Sequence, residues 1–205
     1  MRSSALSRVK HIFFSKLSGV EMSKVFYILK HEHRVIERVM RAVEGICLRL
    51  EGGFKVPAEV LLAIADFTAK FADRYHHGKE ERFLFPALAE QGITREGGPL
   101  GVLQYEHQVE RELIADLHKA IDLYQEGDVE GPQNFVRAAD AYTRMLVGHI
   151  EKEDSILFRI ADEILEDDAK DALAESFKQL DLALGDRNLQ DYERIASELE
   201  ATWAL

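Results

Sequence analysis

Six residues in this chain have the side-chain types and the spacing that a divalent metal ion requires. Two segments share one arrangement: HHGKEERFLFP over residues 76–86 and HIEKEDSILF over residues 149–158. In each, a histidine is followed four residues later by a glutamate, which is about one helical turn, so both side chains point the same way. Imidazole and carboxylate on one face suit a divalent metal. The six candidates are His33, His76, Glu80, His107, His149 and Glu153.

The elements that must position these residues are predicted to be helices. Breaks at Gly52-Gly53, Gly97-Gly98-Pro99 and Gly127 to Pro132 predict four long helices near 22–50, 57–90, 99–126 and 132–166. Two shorter helices follow near 169–183 and 188–203, divided at Gly185-Asp186. No useful segment alternates with period two, so we predict no sheet. Three short connections between long helices favour an all-α, up-down-up-down four-helix bundle with additional C-terminal helices.

This reading divides the chain into three parts. We expect an N-terminal extension over 1–21, the bundle over 22–167, and a C-terminal helical appendage packed on it over 168–205. The helical pattern begins near Met22, which could be an alternative start to Met1.

Helical periodicity places the six candidates on inward-facing stripes. His31 lies about 200° around its helix from His33 and should point outward. Glu80 and Glu153 enter apolar seams, where a carboxylate without a partner is costly. No lysine or arginine lies on the stripes, so a bound cation would offset that cost. The four stripes are Leu29, His33, Ile36, Met40, Val43, Cys47, Leu50; Leu61, Ala65, Thr68, Ala72, His76, Glu80, Phe83, Ala87; Leu103, His107, Glu110, Ile114, Leu117, Ile121, Tyr124; and Phe135, Ala139, Tyr142, Leu146, His149, Glu153, Ile156, Ile160.

The composition limits the class of protein. The chain has 205 residues, 46% of them hydrophobic, which is enough for one domain with a sizeable core. A formal net charge of −11 argues against nucleic acid or an anionic membrane as partner. The single cysteine excludes an intrachain disulfide, and no apolar run approaches the roughly 20 residues of a membrane span. We therefore expect a cytoplasmic protein.

Four segments carry a resemblance to a known family. They are EHRVIERV at 32–39, HHGKEERFLFPAL at 76–88, EHQVERELI at 106–114 and HIEKEDSILF at 149–158. With these, the chain resembles the hemerythrin-like proteins of the HHE cation-binding family over about residues 22–167. The resemblance implies two non-heme iron ions, oxo- or hydroxo-bridged, in a four-helix bundle. It also implies that Glu80 and Glu153 bridge the irons and that His33, His76, His107 and His149 are terminal ligands.

One position departs from the oxygen-carrying members of that family. They have a fifth histidine one turn from the other histidine of the third helix, where this chain has Leu103 and Arg111. His77, Glu110 or solvent could fill the vacant place. We favour His77, because imidazole suits iron and adjacent histidines are hard to explain on a solvated face.

The resemblance implies a small ligand: O2, NO or H2O2. The chain could turn over peroxide or NO as an enzyme, carry or sense O2 without turnover, or store and donate iron. Only four histidine ligands are certain; if His77 does not bind, both irons have room for exogenous ligands, which favours redox turnover over stable carriage. Tyr142 or Tyr105 could supply a proton or hydrogen bond, and the sequence indicates no particular electron donor.

Overall fold

The computed structural model describes residues 22–182 and 188–205, which fold as six helices with no strand among them. The extension predicted over 1–21 and the division predicted at Gly185-Asp186 lie outside the described residues. None of the described helices has a stretch of the length and apolarity that crossing a bilayer requires.

Two of the six helices change their hydrogen-bonding pattern part of the way along. Helix α2 has α-helical ends at Ala58–Phe67 and Phe85–Glu90, with π-helical segments at Thr68–His77 and Glu80–Leu84 between them. Helix α4 is α-helical over Gly131–Lys152 and Phe158–Ile164, with a π-helical turn over Glu153–Leu157. The others are α1 (Lys24–Glu51), α3 (Pro99–Gln125), α5 (Asp167–Leu182) and α6 (Leu189–Trp203).

Proline, glycine and capping residues explain where several of these helices begin or end. Pro99 lies in the first turn of α3, where its missing N–H is tolerated. Gly92 and Gly127 follow α2 and α3 with φ of 89° and 78°, a left-handed conformation that favours glycine. Helix α6 begins with a capping box between Asn188 and Asp191.

The hydrophobic core consists of two clusters that run along α1 to α4 and include residues of α5 and α6, and the candidate metal ligands lie between these clusters. On α1, Leu29 belongs to one cluster and Ile36 to the other, with His33 between. On α3, Leu103 and Ile114 flank His107 in the same way. The polar residues therefore form one layer with apolar packing above and below it.

Helices α5 and α6 cover the outer side of α1 and part of α2. At Gly45, a Cβ atom would lie 1.8 Å from the carbonyl oxygen of Trp203, so only glycine permits this approach of α6. Arg38 donates to Glu200 at 2.6 Å across the same interface. Helix α1 thus buries a second face besides the predicted stripe.

The π-helical turn in α4 overturns part of the predicted stripe. Ile156 and Ile160 were expected to face inward, but Ile156 is 55% exposed and Ile160 is half-buried. Leu157 and Ala161 are buried instead. The turn over Glu153–Leu157 inserts one residue into the helical repeat, which moves the inward face forward by one position.

Helix α2 shows the same shift at its second π-helical segment. The predicted stripe continued through Phe83 and Ala87, which are only partly buried. Leu84 and Leu88 are fully buried in their place. Since this segment begins at Glu80, as the turn in α4 begins at Glu153, both His-x-x-x-Glu motifs end where the helix widens.

Candidate metal centre

The predicted ligands on the four helices converge in the layer between the two core clusters. All of them are buried. They form two groups whose potential ligand atoms lie within 4.8 Å of one another. One group consists of His33, His76, Glu80 and Glu153, and the other of His77, Glu80, His107 and His149.

Glu80 and Glu153 each lie between a histidine of one group and a histidine of the other. Glu80 Oε1 is 3.8 Å from His76 Nε2, and Glu80 Oε2 is 3.4 Å from His107 Nε2. Glu153 Oε2 is 3.3 Å from His33 Nε2, and its Oε1 is 3.2 Å from His149 Nε2. Each carboxylate therefore offers one oxygen to each group, which is the geometry that a bridging ligand needs.

The same layer contains a concentration of unsatisfied polar atoms. Within residues 22–182 and 188–205, some buried side-chain nitrogen and oxygen atoms have no hydrogen-bond partner. All of these atoms belong to seven residues of this layer. Buried polar atoms are normally paired, because leaving them unpaired costs free energy. A bound cation would supply the missing interaction for the carboxylates and imidazoles. The seven residues are His33, His76, His77, Glu80, Glu110, Tyr142 and Glu153.

His77 lies inside this layer, although the α-helical repeat places it about 100° from the stripe. Its ring stacks on His107 with centroids 3.9 Å apart, and it is fully buried. The π-helical segment over Thr68–His77 widens the turn, so that His76 and His77 are both buried. His77 is therefore grouped with Glu80, His107 and His149 among the potential metal ligands.

Glu110, the second candidate for the vacancy, lies next to His77. Its Oε2 is 3.4 Å from His77 Nε2, and the side chain is fully buried. Burial raises the pKa of this carboxyl to about 7. Glu110 is not among the donors within 4.8 Å of one another, so His77 is the better placed of the two.

Four of the five predicted histidine ligands donate from the outer nitrogen to a carboxylate of the preceding helix in the bundle, whereas the Nδ1 of the fifth, His77, has no hydrogen-bond partner among the described residues. His76 Nδ1 on α2 donates to Glu32 of α1 at 2.9 Å. His107 on α3 donates to Glu81 of α2 at 2.8 Å, and His149 on α4 to Glu106 of α3 at 3.0 Å. The ring closes with His33 on α1, which donates to Asp154 of α4 at 2.9 Å. These bonds fix the orientation of each ring, with Nε2 facing the centre.

Each outer carboxylate also meets a cation from the helix that carries its histidine. These charges neutralise the outer ring, which leaves the central carboxylates as the uncompensated negative charge of the site. The outer pairs are Glu32 with Lys79, Glu81 with Arg111, Glu106 with Lys152, and Asp154 with Arg34.

The protonation equilibria reflect that central negative charge. Burial alone would lower the pKa of His33, but the Asp154 and Glu153 carboxylates outweigh it and raise the pKa to about 9. For His77, burial and the neighbouring His107 lower the pKa well below its usual value. A neutral His77 imidazole is the form that binds metal.

Several residues around the centre lie as the sequence indicated. His31 is exposed and contacts Glu193 of α6 at 2.5 Å. Arg111, at one of the two positions where the fifth histidine is absent, forms ion pairs with Asp73 and Glu81. Tyr142 is buried in the layer, whereas Tyr105 is 66% exposed and lies outside it, so the role considered for Tyr105 is wrong.

Sequence reasoning missed the four outer carboxylates. Each carboxylate is adjacent in sequence to a predicted ligand, but it accepts a hydrogen bond from the histidine of another helix. Helical phase alone therefore could not predict which carboxylate contacts which histidine. The available signal was an acidic residue beside one ligand on every helix. These neighbours are Glu32 at His33, Glu81 at Glu80, Glu106 at His107 and Asp154 at Glu153.

Comparison with known proteins identifies one family. The family model described as the hemerythrin HHE cation-binding domain matches residues 24–161. Uncharacterized proteins of Mycobacterium bovis and Mycobacterium tuberculosis are each 28% identical over 130 residues, which is 63% of this chain and 50% of theirs. The chain therefore spans about half the length of the curated relatives it matches. No solved structure matches it.

Proposed function

Because the chain belongs to the hemerythrin HHE cation-binding family, we propose that it holds two non-heme iron ions and binds or reacts with a small ligand such as O2, NO or H2O2. The observation that carries this proposal is the cluster of buried, unpartnered carboxylate and imidazole atoms. Imidazole with carboxylate is a donor set suited to iron. An iron pair would supply redox chemistry toward small oxygen- and nitrogen-containing molecules.

We assign the ligands from the two groups of donors. His33 and His76 would hold one ion, and His77, His107 and His149 the other. Glu80 and Glu153 would bridge the ions, since each carboxylate lies between the groups.

The two positions differ in their number of histidine donors. The first group offers two histidines and the second offers three, so a small molecule has more room beside His33 and His76. Apolar packing on both sides of the layer, including Phe158 stacked on His33, would exclude bulk water from that place. The buried Tyr142 hydroxyl could donate a hydrogen bond within the layer.

The finer architecture is part of the same proposal. Along each of helices α1 to α4, residues of one core cluster precede the candidate ligands and residues of the other cluster follow them. This order is reversed from one helix to the next, as in an up-down-up-down four-helix bundle. We assign residues 22–167 to that bundle and 168–205 to an appendage, after an extension over 1–21. A cytoplasmic location and an unidentified electron donor complete the proposal.

The first test is metal content. The protein is loaded with Fe(II) without oxygen, desalted and assayed for iron, and two ions per chain are expected. Glu153→Ala should lose iron, because it removes one bridge. The matched control is Glu151→Ala, an exposed glutamate two residues away on α4. Full iron retention by Glu153→Ala would contradict the bridging assignment.

The second test distinguishes the possible activities. O2 is admitted to the reduced protein while the absorbance is followed. With His77 in the ligand set, we expect a new band that persists and disappears when O2 is removed. Rapid decay of the band with consumption of added peroxide or NO would indicate an enzyme. Release of iron without such a band would indicate storage or donation.

A further inference from the structure

One of the four outer ion pairs is shielded from solvent, and a helix beyond the family region shields it. Lys79, which pairs with Glu32, is fully buried. The corresponding cations are exposed at their side chains: Arg34 by 52%, Arg111 by 40% and Lys152 by 44%. Helix α5 lies outside the matched residues 24–161.

The cover over Lys79 is aromatic. The ammonium lies 3.8 Å from the centroid of the Tyr75 ring and 5.5 Å from that of Phe177 on α5. Phe177 is itself 1% exposed and contacts Phe83, with ring centroids 6.2 Å apart. A cation between aromatic rings is stabilised by their quadrupoles, most strongly where water is absent.

The absence of water strengthens the interaction between Lys79 and Glu32. Lys79 Nζ lies 2.5 Å from Glu32 Oε1, while Glu32 Oε2 accepts from His76 Nδ1 at 2.9 Å. Exposed pairs are weakened by water and salt, whereas a buried pair is screened much less. Separating two opposite charges inside the protein costs more free energy than separating them in water. Glu32 is therefore held on His76 more firmly than its counterparts are held on their histidines.

We propose that Phe177 is a positioning residue for the metal centre, which keeps water from the Lys79–Glu32 pair and thereby fixes His76. This proposal rests on the proposed function, since it concerns the same centre. It assigns helix α5 a role in metal binding that the matched residues 24–161 alone do not contain.

The experiment uses the full chain loaded with two Co(II) ions. Their paramagnetism shifts the Nδ1–H proton resonances of the ligating histidines, so that exchange of each proton with D2O can be followed by NMR. Glu32→Gln identifies the His76 signal, because it alters the partner of that ring alone. The variants are Phe177→Ala and the conservative Phe177→Leu.

The matched control is Phe67→Ala. Like Phe177, Phe67 is a buried aromatic residue, but it lies on α2 in the other core cluster, with its ring centroid 6.0 Å from that of Tyr192 of α6. Phe67 lies twelve residues before Lys79 in the sequence. The Phe67→Ala substitution should therefore lower the melting temperature without changing the exchange rate of the His76 proton.

In the unchanged protein, the His76 proton should exchange most slowly of the set. Phe177→Ala should accelerate its exchange well beyond that in Phe67→Ala, while Phe177→Leu restores slow exchange. Equal exchange in Phe177→Ala and the unchanged protein, or an equal acceleration of every histidine proton, would overturn the proposal. Failure to bind cobalt at all would instead overturn the proposed function and this inference with it.

Discussion

Removing one outer carboxylate should weaken metal binding although no ligand atom is lost. Glu106 accepts from His149 Nδ1 at 3.0 Å and its side chain is only 11% exposed. A hydrogen bond to a charged group contributes about 1.5–3 kcal/mol, and about 1.4 kcal/mol corresponds to a factor of ten in affinity. Glu106→Ala should therefore weaken binding by roughly 10- to 100-fold. Glu106→Gln keeps an acceptor but loses the charge, so its effect should be smaller.

The assay is a competition titration against a chelator of known affinity, with Co(II) under anaerobic conditions. Glu112→Ala provides the matched control, since Glu112 is an exposed glutamate on the same helix. Circular dichroism should show the same helical content in all variants. If Glu106→Ala binds metal as tightly as Glu112→Ala, the outer ring does not support the ligands and the reasoning fails.

Three further predictions follow from the packing. His33→Ala should reduce iron binding and His31→Ala should not, because only His33 faces the centre. If metal analysis shows iron loss in His31→Ala but not in His33→Ala, the orientation assigned to α1 is wrong. Leu157→Ala should lower the free energy of unfolding by about 2–5 kcal/mol, and Ile156→Ala by roughly 0.5 kcal/mol or less; similar losses in urea titrations would argue against the shifted register. Removing the metal should lower the melting temperature while the helices persist, because binding to the native state alone stabilises that state; an unchanged temperature in calorimetry would count against buried ligands.

Periodicity predicted the inward residues well up to the two bridging glutamate candidates, and in α2 it held even through the first π-helical segment, where Ala72 and His76 are buried as predicted. Along α1 and α3 the repeat is uninterrupted, and the predicted stripes, including His33 and His107, are buried apart from partial exposure at Cys47 and Tyr124. A π-helical turn has no propensity signal comparable with a glycine or proline break. The inward positions after Glu80 and Glu153 were therefore each predicted one residue too early.

The outer ring was beyond prediction for a different reason. Pairing Glu32 with His76 requires the rotation and the vertical position of two helices relative to each other, and a sequence pattern within one helix contains neither. The regularity becomes visible only when all four helices are compared: a carboxylate from one helix meets a histidine and a cation from the next. The burial of Lys79 likewise depends on α5, which lies outside the recognisable motifs.

The most direct measurement of the central claim is anomalous X-ray diffraction at the iron absorption edge, from crystals of the Fe(II)-loaded protein. Two anomalous peaks should lie in the buried layer, one within bonding distance of His33 and His76 and the other within bonding distance of His77, His107 and His149. Glu80 and Glu153 should contact both peaks. A single peak, peaks elsewhere on the chain, or no peak in crystals of protein that retains its iron would contradict a di-iron centre at this site.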